Sequence, residues 1–303
     1  MAGHAGHAGH AGHAGHAGHA GHAGNAGGSG GAFFPDRVDI PFVTQPLPGV
    51  VAVGATPRAV SAQQTTLPDF RRHWTAPFAA WQVLAEFTAT PAWHDAVARP
   101  ETLLPHWSSF QGSGPGMLAD DRTELETLVR MAADERADAM GEILAQSGEF
   151  ITDFLGLLVA RPGAHGATAR LLHGVGLVGL AVSMLTKQRW QRPRPSQLRP
   201  ALMPPIEVPG HASYPSGHGT QAFLIADTLA EALAGTPMEA AAPVAAALAG
   251  RIATNREIAG MHYRSDTLGG RALATATLGI LRETTAFTAL LGDVRREWSA
   301  PDA

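Results

Sequence analysis

Two histidines, three basic side chains and a Ser-Gly turn recur in this sequence at spacings that suit the handling of an oxyanion. Tyr214-Pro215-Ser216-Gly217-His218 leads into an apolar run. Serine there can cap a helix, and glycine lets the backbone approach a ligand closely. Such a helix start aims N–H groups, a hydroxyl and an imidazole at one point, a seat for a tetrahedral anion. Upstream lie Lys187 and, after six intervening residues, Arg194-Pro195; downstream lie Arg256, His262 and Asp266. Arginine offers forked donors that match such oxygens. The four-residue step from His262 to Asp266 suits a carboxylate that holds one ring nitrogen and fixes the tautomer. Surrounding cations disfavour the imidazolium, which leaves a neutral nucleophile or ligand. Each piece alone has a plainer reading. Pro-Ser-Gly-His can simply open a helix, and basic residues near loops are common on surfaces.

In this order, Lys-x6-Arg-Pro, Pro-Ser-Gly-His and Arg-x5-His-x3-Asp resemble one superfamily's signature. That superfamily unites type 2 phosphatidic acid phosphatases, bacterial acid phosphatases and vanadium-dependent haloperoxidases, and the resemblance is strongest over 187–270. It implies that Lys187, Arg194 and Arg256 neutralise a bound phosphate or vanadate, while Ser216 and Gly217 donate hydrogen bonds to it. His262 is then the phosphatase nucleophile or the protein ligand of vanadium, His218 the general acid–base, and Asp266 the group that orients His262. The run from His211 to Gln221 looks like the bromoperoxidase version of the turn, with a histidine seven residues before His218. His262-Tyr263-Arg264-Ser265-Asp266 also looks closer to haloperoxidases than to membrane lipid phosphatases. Met184, Asn255 and Gly219 depart from the family's commoner residues. The leading expectation is a vanadate-dependent haloperoxidase that oxidises halide with hydrogen peroxide, His211 serving halide or orienting its neighbours. The alternative is a soluble acid phosphatase that forms a phosphohistidine and needs no cofactor. His211 also reads as a loop histidine that merely bonds the Pro-rich segment.

The elements that must position these residues read as helices. Residues 120–147 carry an apolar stripe through Leu125, Leu128, Met131 and Ile143, with Asp120 and Asp121 as candidate caps. Glu124, Arg130, Glu135 and Arg136 read as its solvated face. Further helices are expected over 149–160, 167–187, 216–234, 238–258 and 266–285, with Gly235 and Gly269-Gly270 as punctuation. The six prolines between Pro193 and Pro209 make an irregular loop. The fold class is all-α, a helical bundle of the phosphatase/haloperoxidase type with an irregular N-terminal arm.

Four segments follow: a disordered tail and linker over 1–31, an arm and aromatic-rich region over 32–119, a catalytic body over 120–290, and a C-terminal tail over 291–303. Trp74, Trp81, Trp93 and Trp107 read as packing anchors rather than as a stacking platform. An Ala-Gly-His triplet repeats seven times from Ala2. It reads as an expanded repeat or a metal-binding or pH-responsive tail, the latter admitting a third, non-enzymatic class of metal-storage protein.

Composition narrows the partners. The 303-residue chain has a net charge of -4, which argues against nucleic acid and anionic membranes, so small-molecule substrates are expected. It has no cysteine, which excludes disulfides and thiolate chemistry. The apolar run 171–186 contains His173 and falls short of the ~20 residues of a membrane span. With no leader visible, the expected location is cytoplasmic.

Overall fold

A computed structural model of the protein describes residues 74–99, 119–161 and 164–299, without the side chains of 119–121. The Ala-Gly-His repeat, the arm up to residue 73, Trp107 and the side chains of the cap candidates Asp120 and Asp121 therefore lie outside what is described. Every regular element that is described is helical. In chain order these are α1 (Ala76–Thr88), α2 (Pro91–Ala98), α3 (Ala119–Asp134), α4 (Arg136–Gly148), α5 (Ile151–Leu157), α6 (Gly166–Arg189), α7 (Pro195–Leu198), α8 (Gly217–Leu233), α9 (Ala242–Ile258), α10 (Arg264–Leu281) and α11 (Thr285–Ser299). Among the described residues there is no strand, and the fold is all-α.

Helix α6 is the axis of the bundle. It packs against α1, α8 and α11, while α8 also meets α9 and α10. Leu171, Leu172, Val175 and Val178 are fully buried on it, and each such side chain contributes about 1.5–3 kcal/mol relative to exposure. At 24 residues it is longer than its apolar run suggested, and it alone among the described helices has the length and hydropathy of a membrane span. Its most apolar window is 56% buried inside the protein, against the other helices of the bundle.

Several sequence expectations change. The single helix over 120–147 is two helices that meet at Glu135, and the turn there sends the Arg136 side chain back across the bundle. Arg136 is half-buried rather than wholly on the solvated face: its Nε donates to the Ile258 carbonyl at 3.0 Å and its Nη1 to that of Leu202 at 2.7 Å. Residues 291–299 are not a tail. They complete α11, whose Phe287, Leu291 and Val294 form one buried stripe. Trp93 is buried against Phe87, but Trp74 and Trp81 are exposed, because Ala80, Val83 and Phe87 occupy the inward face of α1.

Gly269-Gly270 does not punctuate. Both glycines lie inside α10, where they let that helix come close to Tyr214 and to the start of α8. A Cβ on Gly270 would stand 2.9 Å from the Ser216 carbonyl oxygen and 3.0 Å from the Thr220 nitrogen. Backbone atoms have little room to yield, so overpacking there costs about 1–3 kcal/mol. Gly270→Ala is expected to lower the thermal midpoint and to reduce turnover together, because the displaced strand of backbone is the Ser216 turn. Calorimetry and steady-state kinetics on the same preparation check this; unchanged turnover with a lowered midpoint would uncouple the two.

Candidate functional site

Ser216 caps α8 as its sequence position suggests, accepting from the Gly219 N–H at 3.1 Å, and its own N–H donates to the Asp266 carbonyl at 2.9 Å. The α8 start is thereby tied to the first turn of α10. Gly217 and His218 follow on that first turn and border a cavity of about 220 Å³. The same cavity is bounded by Lys187 at the end of α6, Arg194 just before α7, Arg256 near the end of α9, and His262 and His211 on connecting segments. The structure thus brings seven of the nine candidate residues to one cavity wall; Ser216 and Asp266 lie behind it, completely buried.

His262 precedes α10, and Asp266 occupies the third position of that helix, so their pairing is a helix-start geometry rather than a step along one helical face. One carboxylate oxygen, Oδ2, receives the His262 Nδ1–H at 3.1 Å, the Tyr263 N–H at 3.0 Å and the Ser213 hydroxyl. The proton held on Nδ1 leaves the Nε2 lone pair available. Burial pushes the His262 imidazole down to about 3; the Asp266 hydrogen bond opposes this, and the charges of Arg194 and Lys187 add to the lowering. Burial by itself would raise Asp266, but Arg192 and the hydrogen bonds from His262 and Ser213 hold it well below the usual carboxylate range.

The cations are not equivalent. Lys187 donates from Nζ to the Ala212 and Ser213 carbonyls, each at 2.8 Å, and burial followed by the Arg194 charge holds its ammonium well below the lysine range. Arg194 donates to the Met261 carbonyl at 2.9 Å and the His211 carbonyl at 3.1 Å. Its Nη2 reaches His211 Nδ1 at 3.1 Å. Burial and these two cations bring His211 down to about 4, which makes it an acceptor for Arg194 at neutral pH. Arg256 differs. Only its Nη2 is engaged, at 2.8 Å to the Ile143 carbonyl, while Nε and Nη1 are buried without a hydrogen-bond partner among the described residues. Orphaned buried donors on a charged group are costly, and an anion in the cavity would satisfy them. A tetrahedral oxyanion, phosphate or vanadate alike, fits this donor set.

His218 Nε2–H donates to the Gln146 carbonyl at 3.1 Å, which leaves Nδ1 as the nitrogen for proton exchange. Sequence reasoning missed four contributors: Gln146 and Ile143, whose backbone oxygens carry no side-chain signature, and Arg192 and Ser213, which grip Asp266. Arg192 lies two residues before Arg194, and its alternation with proline in Arg192-Pro193-Arg194-Pro195 was the available hint. Among the described residues no group of three or more His, Asp or Glu could hold a metal ion; an oxyanion seated on His262 needs no such group.

No curated protein matches the chain. Residues 167–287 match the PAP2 superfamily, a segment that holds Lys187, Arg194, Ser216, Gly217, His218, Arg256, His262 and Asp266. With an all-α body and these residues gathered as described, the segment 167–287 is similar to the PAP2 superfamily.

Proposed function

We propose that the protein is a phosphomonoester hydrolase that works through a phosphohistidine at His262. The observation that carries this reading is the pairing of a buried, neutral His262 with the two unpartnered donors of Arg256 in one cavity. The His262 Nε2 lone pair attacks phosphorus while Asp266 keeps the Nδ1 proton in place. Arg256, Arg194, Lys187 and the Gly217 N–H stabilise the charge on the non-bridging oxygens. As the P–O bond to the alcohol breaks, His218 gives its Nδ1 proton to the departing oxygen. His218 then takes a proton from water, which attacks phosphorus, breaks the P–N bond and releases inorganic phosphate. Leu180, Met184, Ile206 and Met261 on the cavity wall provide an apolar berth for the alcohol.

Vanadate-dependent halide oxidation is the second reading, favoured by His211 beside Arg194 on the cavity wall. The same cations and His262 would hold vanadate, which when bound supplies the activation of peroxide. Against it stand the Met184 and Met261 thioethers, which line the cavity and which hypohalous products would oxidise to sulfoxides. The test is phosphate release from p-nitrophenyl phosphate and peroxide-dependent bromination, each with and without orthovanadate. Phosphate release that orthovanadate inhibits is expected. Vanadate-activated bromination without phosphate release would overturn the proposal.

A further inference from the structure

Glu124 lies on α3, outside the segment that matches the superfamily, and its pattern on that helix reads as solvent-facing. The structure places it elsewhere. Its Oε1 accepts from the Ser265 N–H at 2.8 Å, so a carboxylate from α3 caps the N-terminus of α10. Its Oε2 accepts from the Ser265 hydroxyl at 2.7 Å and from Arg192 Nη2 at 3.1 Å. Arg192 Nη1 in turn donates to Asp266 Oδ1 at 2.7 Å and to the Ser265 hydroxyl at 2.7 Å. The guanidinium lies 3.8 Å from the centre of the Tyr263 ring, so it is clamped in its plane as well as at its edges. The Glu124 and Arg192 side chains are only 19% and 9% exposed, which keeps water from replacing these contacts.

Asp266 thus has its two oxygens divided. One faces His262 and Ser213, and the other faces Arg192. Without a second anion, Arg192 would draw fully on Asp266 and weaken its hold on the His262 Nδ1 proton. Glu124 shares that cation, and by capping α10 it also fixes where Asp266 stands.

We propose that Glu124, acting through Arg192, is a positioning residue for His262, so that the site is an Asp–His pair backed by a remote carboxylate from a different part of the fold. The inference rests on His262 as the nucleophile. Outer partners of this kind typically change activity by about tenfold to a hundredfold. The loss falls on turnover, because Glu124 touches neither the cavity nor its contents.

The experiment uses the full chain with p-nitrophenyl phosphate. Glu124→Gln keeps an oxygen for the Ser265 N–H but removes the charge that Arg192 meets. The expected result is kcat lowered about tenfold or more with KM changed less than about twofold. Arg192→Lys keeps the charge at Asp266 but cannot fork to both carboxylates, and is expected to lose less than Arg192→Gln. The His262 Nδ1–H resonance is expected downfield in the wild type, through its bond to Asp266, and further upfield in Glu124→Gln. An unchanged resonance with unchanged kcat overturns the proposal, as does a loss confined to KM. If Glu124→Gln fails to fold, the order of the two Arg192 variants decides: equal losses in lysine and glutamine overturn it. A wild-type protein that releases no phosphate sinks the hydrolase reading instead, while the resonance still judges the positioning role.

Discussion

His262→Ala is expected to lower kcat by at least about 10⁴, the scale seen when a nucleophile acting as part of a unit is removed. No neighbouring group can take over. His218 is held by the Gln146 carbonyl, and His211 is turned toward Arg194. The cations remain, so the variant should still bind orthophosphate, as calorimetry will show, while rapid-quench analysis finds no phosphoenzyme. Full turnover in the alanine variant would refute the assignment. The same substitution has a consequence for acid stability. The folded state keeps His262 neutral down to about 3, whereas the unfolded chain takes up a proton near the ordinary 6.5. Stability from this group is therefore lost as pH falls from 6.5 toward 3. The alanine variant lacks that loss, so its denaturation midpoint should fall less steeply over this window.

Arg256→Ala is expected to reduce kcat/KM by about 10³, somewhat above the loss of a single oxyanion donor. Two donors vanish together, and both are held in a buried setting where burial already brings the guanidinium down to about 10. Arg256→Lys should recover only part, because an ammonium cannot present a fork to adjacent oxygens. Orthovanadate inhibition constants should rise in parallel with the loss, since a tetrahedral oxyanion uses the same donors. The substitution also leaves the Ile143 carbonyl without its partner, costing about 1–3 kcal/mol of stability. Thermal midpoints separate that cost from the catalytic one. An inhibition constant that stays put while kcat/KM drops would move Arg256 out of the anion site.

The residues that touch the cavity were legible because chemistry dictates their types. A neutral imidazole needs a carboxylate, an oxyanion needs forked cations, and a close helix start needs Ser-Gly. The bundle was legible from the stripe through Leu125, Leu128, Met131 and Ile143 and from the helix-length runs over 167–187, 216–234 and 238–258. What lay behind the wall was not. Backbone acceptors such as Gln146 and Ile143 are invisible to residue type. Glu124 shares its helix with the exposed Arg122, Glu126 and Arg130, so periodicity assigns it to solvent; only the fold, by laying α3 against the start of α10, shows otherwise. Gly269-Gly270 was misread for a related reason. Glycine signals a stop or a close approach equally well, and the Tyr214 ring that makes the difference is 55 residues away in the sequence. The α11 stripe of Phe287, Leu291 and Val294 was available to periodicity and went unread.

Helix α6 begins without a capping side chain of its own. The first-turn N–H groups of Ala167 and Thr168, which have no carbonyl within the helix to meet, are instead met by the Glu297 carboxylate, at 2.9 Å for Thr168, and the neighbouring Trp298 donates to the Thr168 hydroxyl at 2.9 Å while stacking on His165. The partners are separated by 129 positions between Thr168 and Glu297. A ribosome adding about 5–20 residues per second needs on the order of ten seconds to cover that distance. For that interval the one described helix with the length and hydropathy of a membrane span exists as nascent chain without its closing clasp and without the face of α11. The bundle's axis is made early and locked late, which sets a defined window in which holdase chaperones would find it.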